Sequence, residues 1–512
     1  MEIASKQRLL TIISLAVALI VGWQIANESL VLAGLLGSLL LLWLVSQFGR
    51  VPADALVAGG VLVGYLVGNR GFAQLHTPQL PLLPAEAALG LGACIAIWRA
   101  ARSKVLPVQP DALNFLLLVW LAVGAARLRF DFATHGFLAV RDFAMLYYAA
   151  FFFLAQGWSA DAATRLWVER CLTVGFALTA PVFLVFARWP DFFVAHFTVM
   201  GAPLIFVKSD VAGGFMVAGV FWFLARYGRG KRWHWVLLAG INLIGVALSN
   251  SRAALVALVV VCVWLAVCRD WRRLRPIGAM AAAALLVLFT AAIVSNKPWT
   301  QSPGYRLYES VASIMDYAGS KSYESADLGD KPDNNLFRTT WWRIVVDETW
   351  EKGRWLGLGF GYDLADQFTR IYYAEDSEEF TVRSPHNFLL TVFSRMGMVG
   401  LALLLALLAT MAERTWHAGR DAAQGRTDGR AFSLWLGGWG IFTSACFGVV
   451  LEGPMGAVVF WTLLGLANAT SAAELEPREA EDAAHPAPTS ADSPAAAPLP
   501  NAGTAVLLQR AP

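Results

Sequence analysis

The chain has 512 residues, 57% of them hydrophobic and 15% charged. A soluble domain is about one quarter charged, so these proportions exclude an ordinary soluble fold. The net charge of +3 is too small to argue for a nucleic-acid partner.

Apolar runs with short polar breaks predict about fourteen membrane helices, several near the short end of the spanning range. In chain order they are 9–26, 30–47, 53–69, 79–98, 111–126, 142–157, 170–187, 211–226, 234–250, 253–268 and 277–295. After a long polar segment come 386–411, 431–450 and 455–471. Each must be helical, because lipid offers no partner to an unpaired backbone group. Lys6 and Arg8 precede the first run, which no small-residue cleavage site follows, so it reads as a membrane helix rather than a cleaved signal.

The expected fold class is an all-α integral membrane protein with about 12–14 transmembrane helices and one large outer loop containing short helices. Its expected divisions are 1–295, 296–385 (the loop), 386–471 and a disordered tail, 472–512, rich in Ala, Pro, Ser and acids. Arg50, Arg99, Arg102 and Lys104 fall in alternate loops with Arg226, Arg229, Lys231 and Arg232. Arg269, Arg272, Arg273 and Arg275 follow, then Arg414, Arg420, Arg426 and Arg430. By the positive-inside rule both termini are cytoplasmic and the loop faces outward.

Charges near span ends on the outer side stand out, because charge in a membrane is scarce. They are Arg141 and Asp142 in "VRDFAML", Lys208 and Asp210 in "FVKSDVAGG", and Arg252 in the tight turn "LSNSRAAL". Taken singly, each also fits an interfacial snorkelling side chain. The loop carries Trp299, Trp341, Trp342, Trp350 and Trp355, enough aromatic surface to pack on itself and on the membrane. "FRTTWWRIVVDETW" predicts a helix of about three to four turns, with Arg338 and Trp342 on one face. Gly357, Gly359 and Gly361 then break it. They resemble a nucleotide fingerprint only superficially, since no βαβ unit surrounds them.

The acidic run "AEDSEEF" reads as a solvated loop, with a cation site as the less favoured reading. No DxD triad occurs, and no metal ligands are expected. The five cysteines (Cys94, Cys171, Cys262, Cys268 and Cys446) lie in apolar segments and form no CxxC pair, so they read as small buried hydrophobes. Of seven histidines, His386 differs by position: it follows Pro385 where the chain re-enters the membrane.

The order "SNSRAAL", then a loop with "FRTTWW…GLGFG", then "PHNFLL…GMVGLALL" resembles the bacterial O-antigen ligase and O-antigen polymerase superfamily. These are multispanning glycosyltransferases of GT-C-like architecture, and the resemblance covers about 240–411. It implies an undecaprenyl-diphosphate-linked glycan as donor and a glycan or lipid A-core acceptor. Arg252 and Arg338 would contact the pyrophosphate, His386 would be catalytic, and Asn387 would support it. Arg141, Asp142, Lys208 and Asp210 are secondary candidates for substrate binding.

The chemistry agrees with this. Guanidinium groups bind phosphate oxygens bidentately and stabilise charge on a leaving pyrophosphate. A histidine can accept the proton of an attacking hydroxyl. Neither cofactor nor metal is expected, and the setting is the outer face of the bacterial inner membrane. The span count before the loop departs from the ligase pattern, which leans the reading toward a polymerase of O-antigen or exopolysaccharide. The alternative function is a polysaccharide or lipid-linked saccharide transporter or flippase. That class usually places its polar groups near the midplane.

Overall fold

A computed structural model describes residues 51–76, 82–103, 108–199, 201–230, 232–294, 298–316, 331–372 and 383–484. The expected spans 9–26 and 30–47 and the acidic run lie outside these residues. The chain divides into a large unit, Met1–Ser471, and a small one, Ala472–Pro512.

From residue 53 onward, every expected span falls on a helix. In chain order they are α1 (Ala53–Gly68), α2 (Pro84–Ser103), α3 (Ala112–His135), α4 (Phe137–Tyr147), α5 (Ala150–Ser159) and α6 (Ala162–Arg188). A short α7 (Pro190–His196) and a two-stranded hairpin, Thr198–Val199 with Ala202–Pro203, lead into α8 (Ser209–Gly230). Then follow α9 (Trp233–Leu248), α10 (Arg252–Val267) and α11 (Trp271–Val294). The long polar segment holds α12 (Pro303–Met315), α13 (Lys331–Lys352) and α14 (Asp366–Tyr372). The chain closes with α15 (Phe388–Ala423), α16 (Arg430–Ala445) and α17 (Pro454–Ala484).

The protein is thus an all-α integral membrane protein. Among the described residues, 6 helical stretches are long and apolar enough to cross a membrane: α3, α4–α5 together, α6, α15, and most of α8 and α17. Helices α1, α9 and α10 are apolar but shorter. Polar caps set several starts. Asp111 Oδ1 accepts the Asn114 N–H at 2.9 Å, and Asp161 Oδ2 accepts that of Thr164 at 2.8 Å. Each satisfies a donor that a helix end leaves unpaired.

Helices α8 and α17 form the interior: 83% of each apolar window is buried within the protein, against 28% for α3. Small residues let α8 approach its neighbours. A Cβ at Gly213 would lie 2.5 Å from that of Ala254 on α10.

Two elements differ from the sequence expectation. Helix α13 has 22 residues, about six turns rather than three to four. Its extra N-terminal turns include Pro332, a residue tolerated in a first turn where no N–H is needed. The final helix continues to Ala484, beyond the expected start of the disordered tail. The Ala- and Glu-rich stretch there has good helix propensity.

Candidate functional site

Six segments distant in sequence close on one cavity of about 590 Å3, with Ser313 of α12 and Phe447 after α16 among its lining. Lys208 and Asp210 line it from the start of α8, Arg252 from α10, Arg338 and Trp342 from α13, and His386 from the strap before α15.

The α8 start is pinned from below. Asn69 Oδ1 accepts the Lys208 N–H at 3.1 Å, and the Phe206 N–H bonds the Gly68 carbonyl at 3.1 Å. Gly71 permits this approach, because a Cβ there would sit 2.4 Å from the Pro203 carbonyl oxygen. The tight turn that the sequence predicts spans the three residues between α9 and α10, and Arg252 begins α10. Asn250 turns the chain with φ +51°, a left-handed conformation that asparagine tolerates better than most residues. Ser251 caps the helix, accepting the Ala254 N–H at 3.3 Å. The Arg252 guanidinium reaches the Asn335 side-chain oxygen on α13.

Helix α13 is two-faced. Asn335, Arg338, Thr339 and Trp342 line the cavity, a spacing that puts them on one side of a helix. Trp341 and Val345 face the other way and form a small separate core with Leu364, Ala365 and Phe368. Arg338 Nη1 donates to the Phe447 carbonyl at 2.9 Å. Burial lowers the Arg338 pKa, opposed by the charge of Asp210.

His386 is held by its neighbours. Trp342 Nε1 donates to the Pro385 carbonyl at 2.6 Å. Asn387 Oδ1 caps α15 by accepting the Leu389 and Leu390 N–H groups at 3.1 and 3.3 Å. Between them His386 takes φ +56°, a strained conformation of the kind that collects at functional sites. Its ring meets Trp341 edge-on, with centroids 6.1 Å apart. Its Nδ1 is buried with no hydrogen-bond partner among the described residues. Burial, then the charges of Arg338 and Lys208, lower its pKa to about 4. The ring is therefore neutral at ordinary pH and has a lone pair to offer.

The structure brings Lys208, Asp210, Arg252, Arg338 and His386 together and leaves three candidates aside. Arg141 is exposed and does not line the cavity. Asn387 does not line it either and serves as a helix cap. Asp142 holds the loop down. It accepts the Gly361 N–H at 3.0 Å and pairs with Arg395 at 2.8 Å. Arg395 Nη1 in turn donates to the carbonyls of Gly359 (3.0 Å) and Tyr362. On α3, Asp131 accepts the Phe360 N–H at 2.7 Å.

The glycine run is accounted for by this docking. Gly357, Gly359 and Gly361 all have positive φ, and a Cβ on any of them would lie within 2.5 Å of α15 backbone, Asp131 or His135. Helix α15 is itself interrupted at Gly397 (φ +63°), where the loop backbone at Trp355 packs against it.

Sequence reasoning missed two residues. Arg395, in the middle of "VFSRMG" inside an expected span, was open to the scarcity-of-charge argument. Glu452 lies in the irregular connection between α16 and α17, and nothing in its local sequence marks it. Its Oε1 accepts from Ser384 (3.1 Å) and Thr391 (3.2 Å). Burial raises its pKa to about 7.

Among the described residues no group of His, Cys, Asp and Glu has the arrangement of a metal site. The fold and cavity define a polytopic helical membrane protein with a cationic pocket suited to a phosphorylated substrate. Residues 236–405 match the family model described as O-antigen ligase. The matched segment contains Arg252, Arg338 and His386, whereas Lys208 and Asp210 precede it. The match supports a glycosyl-transfer role in O-antigen or polysaccharide assembly. No curated protein matches the chain.

Proposed function

We propose that the protein transfers a glycan from an undecaprenyl-diphosphate-linked donor to a sugar hydroxyl at the outer face of the bacterial inner membrane. Both termini are then cytoplasmic. The observation that carries this reading is the convergence of Arg252, Arg338, Lys208 and His386 on one cavity. With Asp210 set against Lys208, the two guanidinium groups balance the two charges of a doubly esterified diphosphate and can bind its oxygens in pairs.

The anomeric carbon, held beside His386, is attacked by the acceptor hydroxyl as His386 takes the hydroxyl proton. The bond from that carbon to the phosphate oxygen breaks, and its electron pair stays on the diphosphate, where Arg252 and Arg338 stabilise it. Burial, then the charges of Arg338 and Lys208, hold His386 below its ordinary pKa. A bound diphosphate offsets those two charges and so raises its basicity. Because the donor already carries its leaving group, the scheme needs neither nucleotide nor metal. A polymerase acceptor, the next lipid-linked repeat, is preferred to lipid A core on the span count.

The test is His386→Ala, Arg252→Ala and Arg338→Ala, each assayed for polymeric or ligated glycan in a deletion strain and for normal membrane insertion. Loss of product in all three with intact insertion is expected, and purified protein should remain active in EDTA. Wild-type glycan yield from the three variants would defeat the mechanism.

A further inference from the structure

Helix α12 turns its polar side inward. Tyr308, Val311 and Met315 are exposed, whereas Glu309, Ser310 and Ser313 are buried. The helix packs against α9, α10 and α11. An apolar side that points away from the protein fits the membrane surface, with lipid on that side and protein on the other. At the end of α12 the last carbonyls have no partner inside the helix and need one from elsewhere.

Asn335 on α13 supplies that partner. Its Nδ2 donates to the carbonyls of Ser313 at 3.2 Å and Asp316 at 2.7 Å. Its Oδ1 accepts from Arg252 Nη1, and the Ser313 carbonyl lies 3.5 Å from that same nitrogen. The amide can face only one way. Carbonyls accept and a guanidinium donates, so the amide nitrogen must turn to α12 and the oxygen to Arg252. An aspartate would have no hydrogen for the two carbonyls. Helices α10, α12 and α13 thus meet at one side chain, and that side chain lines the cavity.

We propose that Asn335 is the positioning residue for Arg252: it fixes the guanidinium against the end of α12, so that a diphosphate meets this cation already set. This rests on the glycosyl-transfer reading above. An arginine side chain is rich in rotamers, and ordering it at the moment of binding weakens affinity. The bonds from Asn335 to Arg252 and to α12 impose that order beforehand. A guanidinium carries five N–H hydrogens on three nitrogens, and the bond to Asn335 engages one nitrogen of the three. Because α12 fits the membrane surface, the same bonds hold Arg252 at the level where a lipid-linked diphosphate lies. Asn335 acts through Arg252 and exchanges no proton in the step.

The test uses the full-length protein in micelles, with inorganic pyrophosphate as the binding probe in calorimetry. Asn335→Ala should bind it about two- to tenfold more weakly than wild type. Asn335→Ser stays polar but is too short to span Arg252 and α12. It should behave the same way, which guards against a folding defect peculiar to one variant. Arg252→Ala should lose about tenfold or more. Combining Arg252→Ala with either Asn335 substitution should bind no worse than Arg252→Ala alone, because a residue that acts through the guanidinium has nothing to act on once it is gone. A merely structural role, or a direct contact with the ligand, multiplies the two losses instead. Wild-type affinity in both Asn335 variants, or multiplied losses in the double variants, overturns the proposal. Absence of binding to the wild type, or undiminished binding to Arg252→Ala, overturns the diphosphate reading itself. Both of those are read in proteins with Asn335 intact, which separates them from a failure of the positioning role.

Discussion

Replacing Asp142 by asparagine should loosen the loop from the membrane helices while leaving those helices folded. The carboxylate of Asp142 pairs with Arg395 at 2.8 Å, and the Arg395 side chain is only 4% exposed. Asparagine can still accept the Gly361 N–H, so the substitution isolates the charge. Removing one partner of a buried ion pair costs about 3–5 kcal/mol, because the remaining charge stays desolvated. Arg395 keeps its bonds to the carbonyls of Gly359 and Tyr362, which argues for the lower end, about 3 kcal/mol. The loss should concentrate at the glycine turn. Hydrogen exchange at Gly361 should accelerate, thermal unfolding in micelles should start earlier, and transfer should fall because the turn sets the position of α13 and with it Arg338. Adding Arg395→Met to Asp142→Asn should recover much of the loss, since the stranded charge is gone. A single variant within about 0.5 kcal/mol of wild type, with unchanged exchange at Gly361, would refute the reasoning.

Other outcomes are expected from the same structure. Gly359→Ala places a methyl group 2.5 Å from Asp131 Oδ1 at φ +96°; it should destabilise the loop by roughly 2 kcal/mol or more, read by thermal unfolding. The acid limb of kcat/KM, which reports the free enzyme, should lie at about 4, where His386 titrates. The limb of kcat should lie higher, since bound diphosphate offsets Arg338 and Lys208; coincident limbs in rate profiles would count against the proposed role of the cations. Glu452 is raised from 4.5 to about 7, so the folded state binds its proton more tightly than the unfolded state. That contribution is complete below pH 4.5 and lost as pH rises through about 7. Glu452→Gln should therefore flatten the decline of stability between those limits, by an amount on the order of 3 kcal/mol, in denaturation measured at several pH values.

The sequence alone determined the helices, the Arg252 turn and the start of α15. These depend on short-range rules: apolar runs in lipid must be helical, and serine, asparagine and proline mark helix starts. It also singled out Arg252, Arg338 and His386, because their motifs are local. What it lacked was distance. Only the tertiary structure decided that Lys208 and Asp210 share a cavity with those three, whereas Arg141 remains exposed and Asp142 is committed to Arg395. Likewise, Glu452 gained its part from Ser384 and Thr391, each more than 60 residues away. A charged side chain beside a membrane has the same local signature whether it snorkels, docks a loop or faces a substrate. Its partners, which packing brings from far along the chain, make the difference.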